Sequence, residues 1–431
     1  MHTTMMCRRV MALLIAAGAF LFVSVLDTGS TGARAAEAQK KHHTQTADKK
    51  TASKKTSAHK KSTQKKSAAR KKSTRKAVAQ RKTQPLVIVT KAPNDAPDFD
   101  YQDRIQEAQA LVAKQPVQPG DIEVDGAGNL TRFVWTLAVG QKAGPLTILR
   151  MDQKGNNDQG FNVTWAVDNF LNTKFDVTKP DGYIVFAQRR PVRVSNNKGG
   201  GWEEAVYTAY SPKIDTRKMR DAGLEYLQHL ERLAYNHLQS HDVRSRANSK
   251  ETVADQIPRS MVLRLMITEH IDPLHMKYVG IEQCVQEVLI TIAANREKAY
   301  AYSRSSAGAL GMTQFIENSY HMVRDNYPAA RLEPNFDLGM RDLRNAIIAT
   351  VLHMDLELAH LPAVYFKRFT DSAYHLTAFL AAGYNRNPVN VVRTYKRTKT
   401  FTGGDVSFEN KMYVRIQDWV GTYLKNKYDI S

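Results

Sequence analysis

The 431-residue chain reads as a multidomain α+β protein: a disordered basic N-terminal tail, a small β-rich domain and a mainly α C-terminal domain. Three observations predict this. Residues 36–84 are dominated by Lys, Ala, Ser and Thr, with almost no large apolar side chains to build a core. Between Gly120 and Tyr210, short β-branched or alternating runs recur between Gly-, Asn- and Pro-rich turns. From Pro212 the apolar period becomes that of a helix and stays so to the end. The divisions expected are residues 1–35, 36–84, 85–212 and 213–431.

Residues 1–35 read as a secretory signal. Arg8 and Arg9 precede an apolar run from Val10 to Val25, and Ala33-Arg34-Ala35 offers small residues for cleavage. An uncleaved membrane anchor is the alternative, although the run is short for a bilayer span of roughly 20 residues. Cys7 lies ahead of the run, the wrong side for lipid attachment. Cleavage leaves only Cys284, so no intrachain disulfide can form. The expected location is the periplasm.

The tail carries the charge. Residues 40–82 hold 17 Lys and Arg against the single acid Asp48, which is +16 of the chain's +20. Residues 83–431 account for +3 and are close to neutral. The tail reads either as a solvated spacer or as an electrostatic tether to anionic envelope surfaces. Nucleic acid, the usual partner of such a tail, is not expected for an exported protein.

In the β-rich domain, Pro85–Lys91 is a short β-branched run and Gln102–Lys114 reads as a helix; about six strands are then expected, at Leu130–Val139, Leu146–Met151, Phe161–Val167, Tyr183–Arg189, Val192–Ser195 and Ala205–Tyr210. Gly199-Gly200-Gly201 reads as a turn; it lacks the Gly-Lys-Ser/Thr ending of a phosphate cradle. No catalytic constellation is visible there. In the helical domain, Leu224, Leu227, Leu230 and Leu233 mark one stripe. Further helices are expected at Pro258–His270, Ile281–Asn295, Leu343–Leu361, Thr370–Tyr384 and Lys411–Tyr428.

Glycosidic cleavage needs a carboxylic acid that stays protonated near pH 7, which requires an apolar setting. Glu269 fits, because Val262, Leu265 and Met266 precede it on the same helical face. Glu297 is the rival: Ile290, Ala293 and Ala294 line its face, but Asn295, Arg296 and Lys298 point to a solvated site. Downstream, Ala307-Gly308-Ala309-Leu310-Gly311 is a turn of small residues that would let a sugar ring approach the backbone. Tyr302 and Ser303 precede it and Gln314 follows it.

Three stretches carry a family resemblance: Ser305-Ser306-Ala307-Gly308-Ala309-Leu310-Gly311-Met312-Thr313-Gln314, Ala381-Ala382-Gly383-Tyr384-Asn385, and Glu409-Asn410-Lys411-Met412-Tyr413-Val414. In this order they resemble the soluble-type, lysozyme-like lytic transglycosylases (SLT domain), which cut peptidoglycan glycan strands. The resemblance spans roughly residues 255–425. It implies a lysozyme-like helical domain, a substrate groove lined by Tyr302, Ser303, Gly308, Ala309, Gly311, Gln314, Tyr384 and Asn385, and no metal or cofactor. It implies that Gln314 begins the next helix and faces the groove. It also implies that one glutamate first protonates the bridging oxygen and then deprotonates the muramyl 6-hydroxyl, leaving a 1,6-anhydro sugar.

The chain departs from the family twice. His270 follows Glu269 where the family has Ser, and Glu269 stands 38 positions before Ala307, so an inserted helix over 281–295 is required. Two other readings remain. One is a non-catalytic scaffold that binds peptidoglycan, with or without an unidentified envelope protein partner. The other is a metal site at Glu269, His270, Asp272 and His275, disfavoured because Pro273 breaks the helical spacing that such a site needs.

Overall fold

The computed structural model describes residues 99–430 except 197 and 198. The expected signal, the basic tail and the β-branched run at Pro85–Lys91 lie outside the described residues. Helix α1 (Gln102–Ala113) opens them, burying Ile105, Ala108 and Val112 along one face. A four-stranded antiparallel sheet follows in the order β4-β3-β7-β8, from β3 (Trp135–Gly140), β4 (Leu146–Met151), β7 (Ile184–Asn196) and β8 (Gly199–Tyr207). Two hairpins flank it: β1 (Ile122–Val124) with β2 (Leu130–Phe133), and β5 (Asn162–Trp165) with β6 (Phe175–Lys179).

Strand β3 shows why the sheet sits where it does. Every residue of it is buried, and its side chains alternate between two cores. Trp135, Leu137 and Val139 join an aromatic cluster with Phe133, Phe175 and Trp165. Ala138 faces the other way, into a core shared by α1 and the far end of a helix from the C-terminal part: Ile290, Ala293 and Ala294.

The expected strand at Leu130–Val139 is in fact two, divided at Val134, and strands β1 and β6 were not anticipated. Tyr183–Arg189 and Val192–Ser195 are one strand, β7. Pro191 suggested a break, yet β3 pairs with β7 only as far as Arg189, whereas β8 pairs with Pro191 and beyond. The proline therefore sits where one side of β7 has no partner strand, the position a sheet tolerates. Gly199–Gly201 is not a turn. These residues pair with Asn196–Val194 as the start of β8, which ends at Tyr207 rather than Tyr210.

The helices are α2 (Arg217–Ser240), α3 (Val253–Gln256), α4 (Arg259–Thr268), α5 (Pro273–Asn295), α6 (Glu317–Asn326), α7 (Phe336–Arg341), α8 (Leu343–Ala359), α9 (Ala363–Thr370), α10 (Ala373–Tyr384), α11 (Pro388–Thr398) and α12 (Phe408–Tyr428). Helix α8 is buried on all sides, as its nearly continuous apolar sequence demands. On α2, Leu224, Leu227 and Leu230 are buried as expected, whereas Leu233 is exposed. A strict three-residue spacing drifts around a helix of 3.6 residues per turn, so the buried face passes instead through Glu231, Ala234, Tyr235 and Leu238. Glu231 is sheltered there with Arg259 at 3.3 Å.

Helix α5 begins eight residues before Ile281 and is broken at Gly280, whose φ of +84° and ψ of 165° leave the helical region. It fills the long gap between Glu269 and the glycine-rich turn. It is also the dock for the sheet: Val285, Val288, Leu289 and Ile292 pack into the helical core, while Ile290, Ala293 and Ala294 face the strands. The expected helix Thr370–Tyr384 is α10, which starts three residues later, at Ala373; α9 before it was not anticipated, and α12 begins at Phe408, before Lys411. Among the described residues no helix is long and apolar enough to cross a membrane.

Candidate active site

Glu269 is the residue at which α4 stops; its own N–H still donates to Leu265 O at 3.0 Å. The helix carries Val262, Leu265 and Met266 into the core, and Glu269 itself is half-buried. Burial raises its pKa to about 7, opposed by a hydrogen bond that the Tyr413 hydroxyl donates to Oε1. No other carboxylate among the described residues contributes to the shift. Tyr413 lies on α12, and Gln417, one turn further on, donates its amide to the Tyr413 oxygen at 3.5 Å.

The glycine-rich turn is tied to this acid from two directions. His270 Nε2 lies 2.9 Å from the carbonyl of Met312, and its ring stacks on Tyr300 with centroids 3.6 Å apart and planes at 11°. Burial lowers the His270 pKa to about 3, so the ring is neutral near pH 7 and Nε2 carries the donated proton. The second tie is Tyr384, at the end of α10, whose hydroxyl donates to the Thr313 carbonyl at 2.7 Å. Burial raises the Tyr384 hydroxyl well above its ordinary value, and the nearby Glu269 charge adds to the shift.

Within the turn, Ser305 N donates to Ala309 O at 2.8 Å, and Gly311 N donates to Ser303 O at 2.9 Å. Ala309 is buried in its floor. Gly308 has φ +84° with open space where a Cβ would stand. Gln314 does not begin the next helix, which starts at Glu317. Its side chain turns back instead, donating to Gly311 O at 2.8 Å and Ser303 O at 3.3 Å, and so braces the turn. Ser303 takes part through its carbonyl. Asn385 donates to Asn410 Oδ1 at 2.8 Å, joining the end of α10 to the start of α12. Tyr302 lies beneath the Arg341 guanidinium, 5.8 Å from ring centroid to Cζ, and packs against Val192, Val194 and Tyr207 of the sheet.

The structure thus brings Glu269, Tyr384 and the turn from Ser303 to Gln314 together, with Asn385 just beyond. Glu297 is elsewhere, exposed on the short 3₁₀ turn that follows α5. The four ligand-type residues from Glu269 to His275 have separate partners: Asp272 caps Leu274 N at 2.8 Å, and His275 meets Glu287 at 3.1 Å. Two residues have larger parts than the sequence suggested. Tyr413 was visible only as part of the last of the three quoted stretches, and His270 only as a departure from the family pattern. No family model, no curated protein and no solved structure matches this chain.

The Tyr413 hydroxyl stabilises the ionised form of Glu269, so its removal has a defined sign. In Tyr413→Phe the Glu269 carboxyl is expected to titrate roughly one to two units higher, the worth of one hydrogen bond to a charged group. A carbon-13 NMR titration of the carboxyl reads this directly. An unchanged or lower midpoint shows that the hydroxyl does not hold the anion.

Proposed function

We propose that the chain is a peptidoglycan lytic transglycosylase with a lysozyme-like helical domain, acting in the cell envelope. It cleaves the bond between N-acetylmuramic acid and N-acetylglucosamine with formation of a 1,6-anhydro sugar. The observation that carries the reading is Glu269: a carboxyl half-open to solvent, raised to about 7 by burial, and placed beside the turn of small residues by His270 and Tyr384. Near neutrality about half of such groups hold a proton, so one side chain can serve as acid and then as base.

In the first step Glu269 gives its proton to the bridging oxygen as the C1–O bond breaks. In the second, the resulting carboxylate takes the proton of the muramyl 6-hydroxyl as that oxygen closes on C1. Tyr413 steadies the carboxylate between the two. A conventional glycosidase needs a second carboxylate roughly 5 to 9.5 Å from the first. The one-carboxylate route needs no such partner for Glu269.

Mass analysis of the products released from purified sacculi tests this. Anhydro-muropeptides, lighter by one water than hydrated ones, are expected from the wild type and from Glu297→Gln. Hydrated reducing ends would turn the reading to a hydrolase. Binding to sacculi without release would turn it to a scaffold.

A further inference from the structure

Behind Tyr384 lies a second acid that the reaction above does not use. Glu357, on α8, is 2% exposed, and Oε2 has no hydrogen-bond partner. His353, one turn earlier, places Nε2 3.3 Å from Oε1, a long contact, while its Nδ1 is unpartnered. The carboxyl presses on Gly383: a Cβ there would stand 2.5 Å from Oε2. This accounts for a glycine directly before Tyr384. The His353 ring meets the Tyr384 ring edge to face, with centroids 5.5 Å apart, and Phe315 closes the group at 5.3 Å from His353 and 6.0 Å from Tyr384.

Burying such a pair costs stability. Its neighbours on α8 are Leu352, Met354, Leu356 and Leu358, and polar groups buried among apolar side chains with so few partners are costly. The groups facing the carboxyl are His353 from its own helix and Tyr384 from α10; Glu269 and Tyr413 lie beyond Tyr384. The costly pair therefore sits against the one tyrosine that joins the turn to the acid.

We propose that Glu357 and His353 are positioning residues, which fix the backbone at Gly383 and the ring of Tyr384 so that its hydroxyl stays between Thr313 and Glu269. The inference rests on the reading of Glu269 as the acid. The carboxyl sets the residue before Tyr384, and the imidazole edge sets the ring.

The test uses the full chain with Glu357→Gln and Glu357→Met, followed by kcat and KM on glycan strands and by the melting temperature. It also follows the Tyr384 ring resonances in a carbon-13 tyrosine-labelled sample, assigned with Tyr384→Phe. The expected result is kcat lower by roughly 10- to 100-fold, as for a misplaced catalytic group. KM should be little changed, the Tyr384 resonances displaced, and the fall in kcat larger than any fall in melting temperature accounts for. Unaltered kcat and Tyr384 resonances in both variants overturn the proposal. So does a loss of kcat that merely parallels a fall in melting temperature. If the wild type releases no glycan product at all, the proposed function fails by itself. The Tyr384 resonances then decide this inference alone: displaced supports it, undisplaced sinks it.

Discussion

Glu269→Gln is expected to lower kcat on sacculi by about 10²- to 10⁴-fold, the usual contribution of a positioned general acid, while leaving glycan binding intact. Glutamine keeps the shape and the contact with Tyr413 but has no proton to give. The pH behaviour makes the test sharper. The carboxyl is raised from an ordinary value of 4.5 to about 7, so the protonated, working form is lost as pH climbs through 7, and the wild-type rate should fall there.

The same shift appears in stability, with a definite sign. A group whose pKa is higher folded than unfolded binds its proton more tightly in the folded state. Its stabilising contribution is complete below about pH 4.5 and is lost as pH rises through about 7. At pH 8 the ionised carboxyl then costs about 2–3 kcal/mol, after allowance for its opening to solvent. Glutamine escapes that cost. The variant and the wild type should melt together at pH 4.5, and the variant should melt several degrees higher at pH 8. Equal melting temperatures at both values, or near-wild-type cleavage by the variant, would remove Glu269 from the acid's role.

The setting of Glu269 was legible because its signal is local: an apolar helical face ending in a carboxylate, with Pro273 closing the helix behind it. Glu297 has an equally apolar run before it, and nothing local separates the two. What decides is that Ile290, Ala293 and Ala294 are consumed by the sheet, a long-range pairing that leaves the following turn in solvent. The same cause hid the purpose of α5. Its length was inferred from the gap before Ala307, but its second face could not be assigned before the position of β3 was known. Strand β6 was missed because Phe175–Lys179 is short and half exposed, and only its pairing with β5 defines it. The role of Gln314 went astray because a glutamine that braces a turn and one that faces a groove look alike in sequence. The Glu357–His353 pair was invisible for the opposite reason: two polar residues in an apolar helix carry no sign of what they face.

Gly311→Ala and Gly308→Ala should separate sharply, although the two glycines have nearly the same backbone conformation, φ +81° and φ +84°. Each substitution brings the left-handed strain of an L residue, about 1–2 kcal/mol. At Gly311 a Cβ would also stand 2.5 Å from the Met340 carbonyl oxygen, a backbone atom of α7 that cannot move alone. Overpacking of this kind adds roughly 1–3 kcal/mol, so Gly311→Ala should lose about 2–5 kcal/mol in denaturant unfolding and most of its activity. At Gly308 the corresponding space is empty, and only the strain remains. If that space is where a sugar ring passes, Gly308→Ala should lose only the strain of about 1–2 kcal/mol in unfolding yet bind glycan more weakly, a rise in KM with kcat largely kept. A glycan affinity unchanged in Gly308→Ala would move the sugar away from this turn. Equal stability of the two variants would show that the packing of Gly311 on Met340 does not hold the turn in place.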